Sequence, residues 1–431
     1  MLKTVRDACI LHDGALDVRS SDQIEQLDEL INAEGKGEAF FGRTALTQGM
    51  RTLVDEGLKR LAGKSSQAVF HLKQAMGGGK THLMVGFGLL AKDPILRKKH
   101  CEHLAYGKTF KGAKITAFNG RNNPEHFFWG EIAEQLGRAE QFKGFWAAGP
   151  KAPDERDWLN LFESDEPILI LLDEMPPYFH YLSTQKIGNG TVADVATRAF
   201  ANMLTAAGKK ANTCVVVSDL AASYETGANL INRALDDARQ ELGRQERSIT
   251  PVDLSGNEVY DILRKRLFQK LPDASVIQDV ATAFGKALDE ATRAKVASRG
   301  AEAISDEVIN TYPFHPRLKN LVALFKENER FKQTRGLMEL VSRLLKSVWE
   351  RKDNDVYLMG PQHFDLSIPD IRERLPRSPK CAMSSHATSG TAMVPLMFRS
   401  SMSRPTAIMP GKSAHCCSPQ VFPRRSMLSR G

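Results

Sequence analysis

Cysteine is scarce in this sequence, and no two cysteines have the spacing of a metal site. The 431 residues contain six cysteines, of which Cys9, Cys101 and Cys214 are scattered singly and the others lie near the C-terminus. No Cys-x-x-Cys pair occurs, so neither a zinc knuckle nor a disulfide framework is expected. His100 and His103 flank Cys101 in a charged stretch, and we interpret this group as surface rather than as a metal site.

Long hydrophobic runs are also missing. The apolar run at residues 167–172 has six residues, and no apolar run in the sequence, glycine included, is longer than nine. These runs are far short of the ~20 residues that a membrane helix requires. The first residues, MLKTVRDACILHDG, lack the apolar stretch of a signal peptide. We therefore predict a cytoplasmic protein without a membrane segment.

Acidic residues are absent after Leu375. Eight of the 59 basic residues lie beyond this point, so the remaining 51 balance the 51 acidic residues and the net charge of +8 belongs to the tail. The body of the chain therefore carries no basic excess that would indicate nucleic-acid binding. Residues 372–431 have no helical or strand period, and we predict that they are either a disordered basic arm or a segment translated out of frame after about Arg374. We favour the second hypothesis.

Several catalytic motifs are absent as well. The sequence contains no Gly-x-Ser-x-Gly elbow, no His-Glu-x-x-His zinc motif, and neither the Gly-x-Gly-x-x-Gly loop nor the His-Arg-Asp loop of protein kinases. These absences argue against the corresponding serine hydrolases, metalloproteases and kinases.

The residues that are present predict a soluble α/β protein of two or three units. Hydrophobic residues make up 42% and charged residues 26%, which is typical of globular proteins. An N-terminal helical region is predicted over residues 1–64. It has one helix at Asp22–Asn32 and a second helix capped by Thr47.

Residues 65–250 predict a parallel sheet covered by helices on both faces. Short apolar segments alternate with helical ones, as in α/β nucleotide-binding proteins. The predicted strands are Ala68–Leu72, Ala113–Phe118, Pro167–Glu174 and Thr213–Asp219. Residues 251–371 are mainly helical in pattern, with Glu258–Phe268 and Arg335–Glu350 among the predicted helices, and we interpret them as a helical lid.

A glycine-rich turn follows the first predicted strand and opens a helix. Such a turn points backbone N–H groups at a phosphate, and the helix dipole adds positive potential there. The predicted nucleotide-binding residues are Gly77, Gly78, Gly79, Lys80, Thr81 and His82. Lys80 is expected to reach the β- and γ-phosphates of ATP, and Thr81 to bind Mg²⁺.

One position departs from the phosphate-loop pattern. Gly-x-x-x-x-Gly-Lys-[Ser/Thr] requires glycine where this chain has Gln74. Gly77 and Gly78 are then expected to supply the flexibility. The alternative is a glycine-rich turn that only links a strand to a helix.

A second chemical element ends the third predicted strand. Asp173 is predicted to hold Mg²⁺, and Glu174 to act as the base that polarises water for attack on the γ-phosphate. Ser218 or Asp219, at the end of the next strand, is a candidate for sensing that phosphate or holding the water, or for simply capping a helix. Asn119 has the same two interpretations, because Asn-Gly is also a common turn.

Five segments together resemble a known family. They resemble the AAA-type P-loop ATPases grouped as domain of unknown function 499 (DUF499), and the similarity covers about Phe40 to Ile371. The segments are Phe40–Met50, Leu72–Met84, Leu171–Glu174, Thr311–Leu318 and Phe331–Leu345. The glycine-rich loop and the acidic motif are generic to P-loop ATPases, whereas TYPFHP and QTRG are specific to this family. Members of the family are usually much longer than this chain.

The resemblance implies roles that the residues alone do not. It implies that Arg335 lies in a lid helix facing the nucleotide, where its guanidinium grips the γ-phosphate as a sensor. Arg317, Arg244 and Arg247 are candidates for arginine fingers between subunits of a homo-oligomer. It also implies an association with DNA or with DNA methyltransferase-like proteins in bacterial phage-defence clusters.

These observations predict a Mg²⁺-dependent ATPase whose lid moves when the γ-phosphate is lost. ATP is favoured over GTP because no Asn-Lys-x-Asp guanine-reading motif occurs. The alternatives are a nucleotide-dependent binding scaffold with little turnover, a small-molecule phosphotransferase using the same loop, and a non-functional truncated product.

Overall fold

We describe the protein from a computed structural model. The described residues are 2–17, 27, 36–74, 77–104, 106–122, 124–218, 225–242, 246–253, 256–295, 301–326, 333–351, 353–364 and 367. The predicted helix at Asp22–Asn32, apart from Leu27, and the predicted tail of residues 372–431 lie outside this set.

The described residues form nine strands, numbered here along the chain. They are β1 (Ile10–Leu11), β2 (Val69–Leu72), β3 (Lys114–Asn119), β4 (Ile168–Asp173), β5 (Lys186–Ile187), β6 (Gly190–Thr191), β7 (Thr213–Ser218), β8 (Glu246–Ile249) and β9 (Phe268–Lys270).

Sixteen α-helices lie between and after these strands in the described residues. They are α1 (Val5–Ala8), α2 (Gly37–Gly42), α3 (Gln48–Leu61), α4 (Lys80–Lys92), α5 (Pro94–Cys101), α6 (Phe127–Gln135), α7 (Ala139–Phe142), α8 (Glu155–Leu161), α9 (Met175–Ser183), α10 (Val192–Lys209), α11 (Glu225–Leu242), α12 (Glu258–Leu267), α13 (Ala274–Arg293), α14 (Ala301–Thr311), α15 (Leu318–Lys326) and α16 (Gln333–Trp349). None of them combines the length and the apolar character that crossing a bilayer would require.

Five strands form one parallel sheet in the order β3-β4-β7-β2-β8. Each of the four predicted strands is present to within about one residue of its predicted ends. The fifth, β8, was not predicted. Its sequence Glu-Arg-Ser-Ile gives no apolar run, and it occupies an edge of the sheet where little burial is needed.

Alternation along β4 divides the sheet into two packed faces. Ile168, Ile170 and Leu172 face a core that includes residues of α6 and α8–α11, whereas Leu169 and Leu171 face a core with residues of α2–α5. The strand is buried throughout, because a parallel sheet covered on both sides has no solvent face. The structure is therefore an α/β fold with helices on both faces of the sheet, as the sequence predicts.

Apart from the cores on the two faces of the sheet, a separate core includes residues of α12, α14, α15 and α16. It is called the second core below. It also contains Val5, Cys9 and Ala15 from the start of the chain. β1 pairs with β9, and the Val5 amide donates to the Val356 carbonyl at 2.8 Å. The residues predicted as one N-terminal region therefore divide between two cores. The predicted helix at Glu258–Phe268 ends at Leu267, because Phe268 begins β9.

Candidate functional site

The candidate site is at the carboxyl ends of β2, β4 and β7, which are neighbours in the sheet. Because parallel strands end at the same edge, the residues that follow them converge there. Register pairs Leu72 with Ser218 and Leu172 with Val217. Asp173 and Ser218 thus end adjacent strands, beside the turn that follows β2.

Asp173 is the centre of a hydrogen-bonded group. Its side chain is 2% exposed, and Oδ1 accepts from Ser218 Oγ at 2.5 Å and from the Glu174 amide at 3.0 Å. Its other oxygen, Oδ2, accepts a hydrogen bond from Thr81 Oγ1. The two residues predicted as metal ligands from separate motifs, Thr81 and Asp173, are therefore in direct contact. Both offer the hard oxygen atoms that Mg²⁺ prefers.

The glycine turn has the backbone conformation that glycine permits. Gly77 and Gly79 have φ of 77° and 84°, a region that side chains with a Cβ rarely adopt. Gly79 is the N-cap of α4 and offers no side chain to the N-terminus of that helix, the end at which a helix dipole favours an anion. The Lys80 ammonium is nearly buried and donates to the Gln74 carbonyl at 2.6 Å. Ala75 and Met76 lie outside the described residues.

Glu174, the predicted base, begins α9 in a left-handed conformation with φ 54° and ψ 34°. Its backbone amide donates both to Asp173 Oδ1 and to Ser218 Oγ, each at 3.0 Å. Its carboxylate Oε2 accepts from Arg121 Nε at 2.7 Å, and the Arg121 side chain is about half exposed. An arginine that the sequence did not single out therefore holds the predicted catalytic carboxylate.

The other strand-end candidates have different surroundings. Ser218 bonds directly to Asp173, whereas Asp219 lies outside the described residues. Asn119 Oδ1 accepts from the Arg121 amide at 3.0 Å, a contact within the Asn-Gly turn; the sensor role of Asn119 stays a prediction. A Cβ at Gly120 would lie 2.1 Å from the Glu174 carbonyl oxygen, so the turn needs glycine there.

His82 is held on three sides next to the glycine turn. Its ring stacks on Phe40, with 4.5 Å between ring centroids. Thr44 Oγ1 donates to the Phe40 carbonyl and lies 3.0 Å from His82 Nε2. Since the hydroxyl proton is used, Nε2 must carry the hydrogen of that pair, which leaves Nδ1 to accept from Arg266 Nη2 at 3.2 Å. His82 therefore contacts α12 through Arg266.

The predicted arginine roles receive no support from these contacts. Arg335 lies on α16 with its Nε 4.0 Å from Glu339 Oε1, an ion pair within one helix. Arg247 Nη1 lies 3.6 Å from Glu56 Oε1. The Arg317 amide donates to His315 Nδ1 at 3.1 Å, and Arg244 lies outside the described residues. The sensor and arginine-finger roles stay predictions.

The predicted surface cluster around Cys101 is partly buried. Cys101 is 2% exposed, and burial raises the pKa of its thiol to about 11. His100 stacks on Phe41 at 4.8 Å, and burial lowers the pKa of its imidazole. The interpretation as a surface group was therefore wrong for the cysteine. A neutral thiol and a stacked ring among apolar neighbours also make a poor metal site.

Comparison with family models gives two matches. A model described as the DUF499 N-terminal domain matches residues 29–97, and one described as the DUF499 second domain matches residues 255–381. Both segments are similar to DUF499 domains, and the terms DUF499 segment and second DUF499 domain are used below for these matched residues. The first carries Lys80 and Thr81, and Asp173 and Glu174 lie between the two matches. No curated protein matches the chain.

The contact between His82 and Arg266 joins the two DUF499 segments. The segment that connects β8 to α12, together with the first residue of α12, also contacts the start of α3. Its Pro251 carbonyl accepts from Thr47 Oγ1 at 2.8 Å, and Glu258 Oε1 accepts from the Gln48 amide at 2.5 Å. The start of α3 therefore binds the connection into the second DUF499 domain.

Sequence reasoning missed three residues of the site: Gln74, Arg121 and Arg266. Gln74 had a signal, since it departs from the phosphate-loop pattern. Arg121 and Arg266 had none, because each acts through a partner, Glu174 or His82, that is far away in the sequence. Only the packing of β3 beside β4, and of α12 beside α4, brings these pairs together.

Proposed function

We propose that this chain is a Mg²⁺-dependent ATPase with the fold of the P-loop NTPases. The observation that carries the proposal is the hydrogen bond between Thr81 and Asp173. It joins a hydroxyl at the start of a helix after a glycine turn to a buried carboxylate two strands away. P-loop enzymes hold Mg²⁺ with this pair of groups.

The residues fit the substrate in charge and in donor type. Lys80 and the first amides of α4 offer positive potential and N–H donors to the phosphates. Thr81 and Asp173 would hold Mg²⁺, and the metal would supply neutralisation of charge on the phosphate oxygens. Glu174 would accept a proton from water, and Ser218 donates a 2.5 Å hydrogen bond to Asp173.

The ion pair between Arg121 and Glu174 favours a second candidate function. A carboxylate bound to a guanidinium is less available as a base, because it must give up that ion pair before it can accept a proton from water. A chain that binds ATP and seldom hydrolyses it would serve as a nucleotide-dependent scaffold. The two functions share a binding site and differ in turnover.

Two variants separate these functions. We expect Lys80→Ala to weaken binding of labelled ATP about 10- to 100-fold, as for loss of a hydrogen bond to a charged group. Glu174→Gln should keep that affinity and reduce phosphate release by at least about 100-fold. Exposed positions offer matched controls in Lys111→Ala and Glu166→Gln. Unchanged ATP affinity in Lys80→Ala would refute the site, and equal turnover in Glu174→Gln would remove Glu174 from catalysis.

We also propose, on the family resemblance, that the ATPase acts on DNA or on a DNA methyltransferase-like protein in a phage-defence or DNA-modification system. Phosphate release with and without duplex DNA tests this, for the full chain and for a chain ending at Leu375. Stimulation that survives removal of the basic tail would support action on DNA. A stoichiometric phosphorylated small molecule would instead indicate a phosphotransferase.

A further inference from the structure

Gln74 takes the place of the first glycine of the phosphate-loop pattern, and the amide group of its side chain bonds to a residue outside the loop. Its Nε2 donates to the Val252 carbonyl at 3.0 Å, and its Oε1 accepts from the Val252 amide at 3.2 Å. The side-chain amide thus pairs with both backbone groups of one residue. Glycine at this position could form neither bond.

The pair extends the contact between β2 and β8. Backbone pairing of these strands runs from Val69–Leu72 against Glu246–Ile249, and the Lys73 amide then donates to the Ile249 carbonyl at 3.0 Å. Beyond Lys73 the chain turns into the glycine loop. After Lys73, the Gln74 side chain rather than the backbone makes the next hydrogen bonds to the segment that follows β8.

Gln74 also lies directly on the loop. A Cβ added at Gly78 would lie 2.5 Å from Gln74 Cγ and 2.6 Å from its Cδ. The carbonyl of Gln74 accepts the Lys80 ammonium at 2.6 Å. On the other side, a Cβ at Gly79 would lie 3.7 Å from Val252 Cγ2. Any change in the loop that moves Gly78 or Lys80 therefore acts on Gln74.

Val252 transmits this contact to the second core. Its side chain is 8% exposed and belongs to the cluster that contains Val259 and Leu263 of α12. The residues just before it are fixed from the opposite side, since a Cβ at Gly49 would lie 2.3 Å from the Thr250 carbonyl oxygen. Val252 is thus bonded to Gln74 through its backbone and packs through its side chain in the core that contains α12.

We propose that Gln74 is a positioning residue that couples nucleotide in the phosphate loop to the second DUF499 domain through Val252. The proposal rests on the proposed ATP site and adds the residue through which a change in the loop reaches α12. Binding that reshapes the loop shifts the Gln74 amide, which shifts the Val252 backbone and with it α12. Such a coupling is a free energy shared by two sites and acts reciprocally on both of them.

The test compares hydrogen–deuterium exchange of the full chain with and without Mg²⁺-ATP at saturation. Two variants are used beside the wild type. Gln74→Met keeps the contact with Gly78 and loses both hydrogen bonds to Val252. Gln74→Gly restores the first glycine of the phosphate-loop pattern. Gln141→Met, an exposed position on α7, is the matched control. Thermal unfolding without nucleotide checks that each variant folds.

We expect nucleotide to slow exchange at residues 77–83 in every protein, and to slow exchange in α12 at least about fivefold in wild type and Gln141→Met only. Equal α12 protection in Gln74→Met and wild type would overturn the proposal, as would a wild type whose loop responds while α12 does not. If α12 of Gln74→Met already exchanges faster than α12 of the wild type without nucleotide, Gln74 only holds α12 in place, and this result would also overturn the proposal. No response of the wild-type loop would instead refute the ATP site itself.

Discussion

Glu174 has a backbone conformation that residues with a side chain rarely adopt. Its φ of 54° costs roughly 1–2 kcal/mol relative to the right-handed region. The strain places its amide between Asp173 and Ser218 and turns the chain sharply from β4 into α9. The carboxylate is thereby directed to the sheet edge, where Arg121 binds it.

The Arg121 ion pair gives a prediction at this scale. Partly exposed pairs contribute about 0.2–1 kcal/mol, so we expect Arg121→Ala to raise basal phosphate release by up to about fivefold as Glu174 becomes available. Arg121→Lys keeps a charge without the planar guanidinium and should give a smaller rise. A fall in turnover in both variants would show that Arg121 acts on the substrate rather than on Glu174.

At the scale of the element, α3 and α4 approach closely at a glycine. A Cβ at Gly57 would lie 2.3 Å from Cζ of Phe87, whose side chain is fully buried. Glycine within a helix normally costs stability relative to alanine, but here it makes room for an aromatic ring. The helix pair covers one face of the sheet beside the phosphate loop.

We therefore expect Gly57→Ala to lower the free energy of unfolding by about 1–3 kcal/mol, the usual cost of overpacking. Gly42→Ala is the matched control, because a Cβ on that helical glycine would meet no atom within 4 Å. It should be neutral or slightly stabilising. Urea unfolding measures both, and equal effects would contradict the packing explanation.

Arg60 connects the end of α3 to two other elements. Its Nη2 donates to the carbonyls of Ala207 and Lys210 at the end of α10, at 2.7 and 2.6 Å, and its Nε donates to the Thr213 carbonyl of β7 at 2.9 Å. The side chain is 3% exposed. Burial lowers its pKa, yet the guanidinium stays charged.

Arg60→Met should leave these carbonyls without donors and lower the free energy of unfolding by about 2–4 kcal/mol. Its neighbour Lys59 makes only solvent-accessible pairs with Asp55 and Glu56, so Lys59→Met should change stability by no more than about 0.5 kcal/mol. Urea unfolding at pH 7 compares the two. Similar losses in both variants would argue against a stabilising role of the hydrogen bonds from Arg60 to these carbonyls.

For the molecule as a whole, His315 makes stability depend on pH. Burial, together with Arg317 and His363, lowers its pKa from 6.5 to about 4. Its Nδ1 accepts from the Arg317 amide at 3.1 Å, which requires the neutral ring. The unfolded chain therefore binds a proton more readily than the folded one, and stability is lost as pH falls from 6.5 towards 4.

The loss from this one group is roughly 2–3 kcal/mol at the low end of that window. His315→Asn keeps an acceptor for the Arg317 amide and cannot titrate, so its free energy of unfolding should fall less between pH 7 and pH 4.5. Urea unfolding at the two pH values measures the difference. Parallel losses in the variant and the wild type would exclude His315 as the cause.

Prediction from the sequence succeeded where a local pattern has one physical meaning. The apolar run of Ile168–Leu172 between polar segments can only be buried, and Thr47 caps α3 through the Met50 amide at 3.2 Å, as predicted. It failed for β8, whose residues gain their place by pairing with β2 rather than by burial. It also missed that Val5, Cys9 and Ala15 join the second core.

The sequence by itself determined the glycine turn, its lysine and threonine, and the buried strand ending in Asp173 and Glu174. These depend on local chemistry: positive φ needs glycine, and a covered strand needs apolar residues. Only the tertiary structure decided that Thr81 touches Asp173, that Arg121 binds Glu174, and that Gln74 binds Val252. Those pairs are 92, 53 and 178 residues apart, and hydrogen bonds of short range form only after the sheet has ordered its strands.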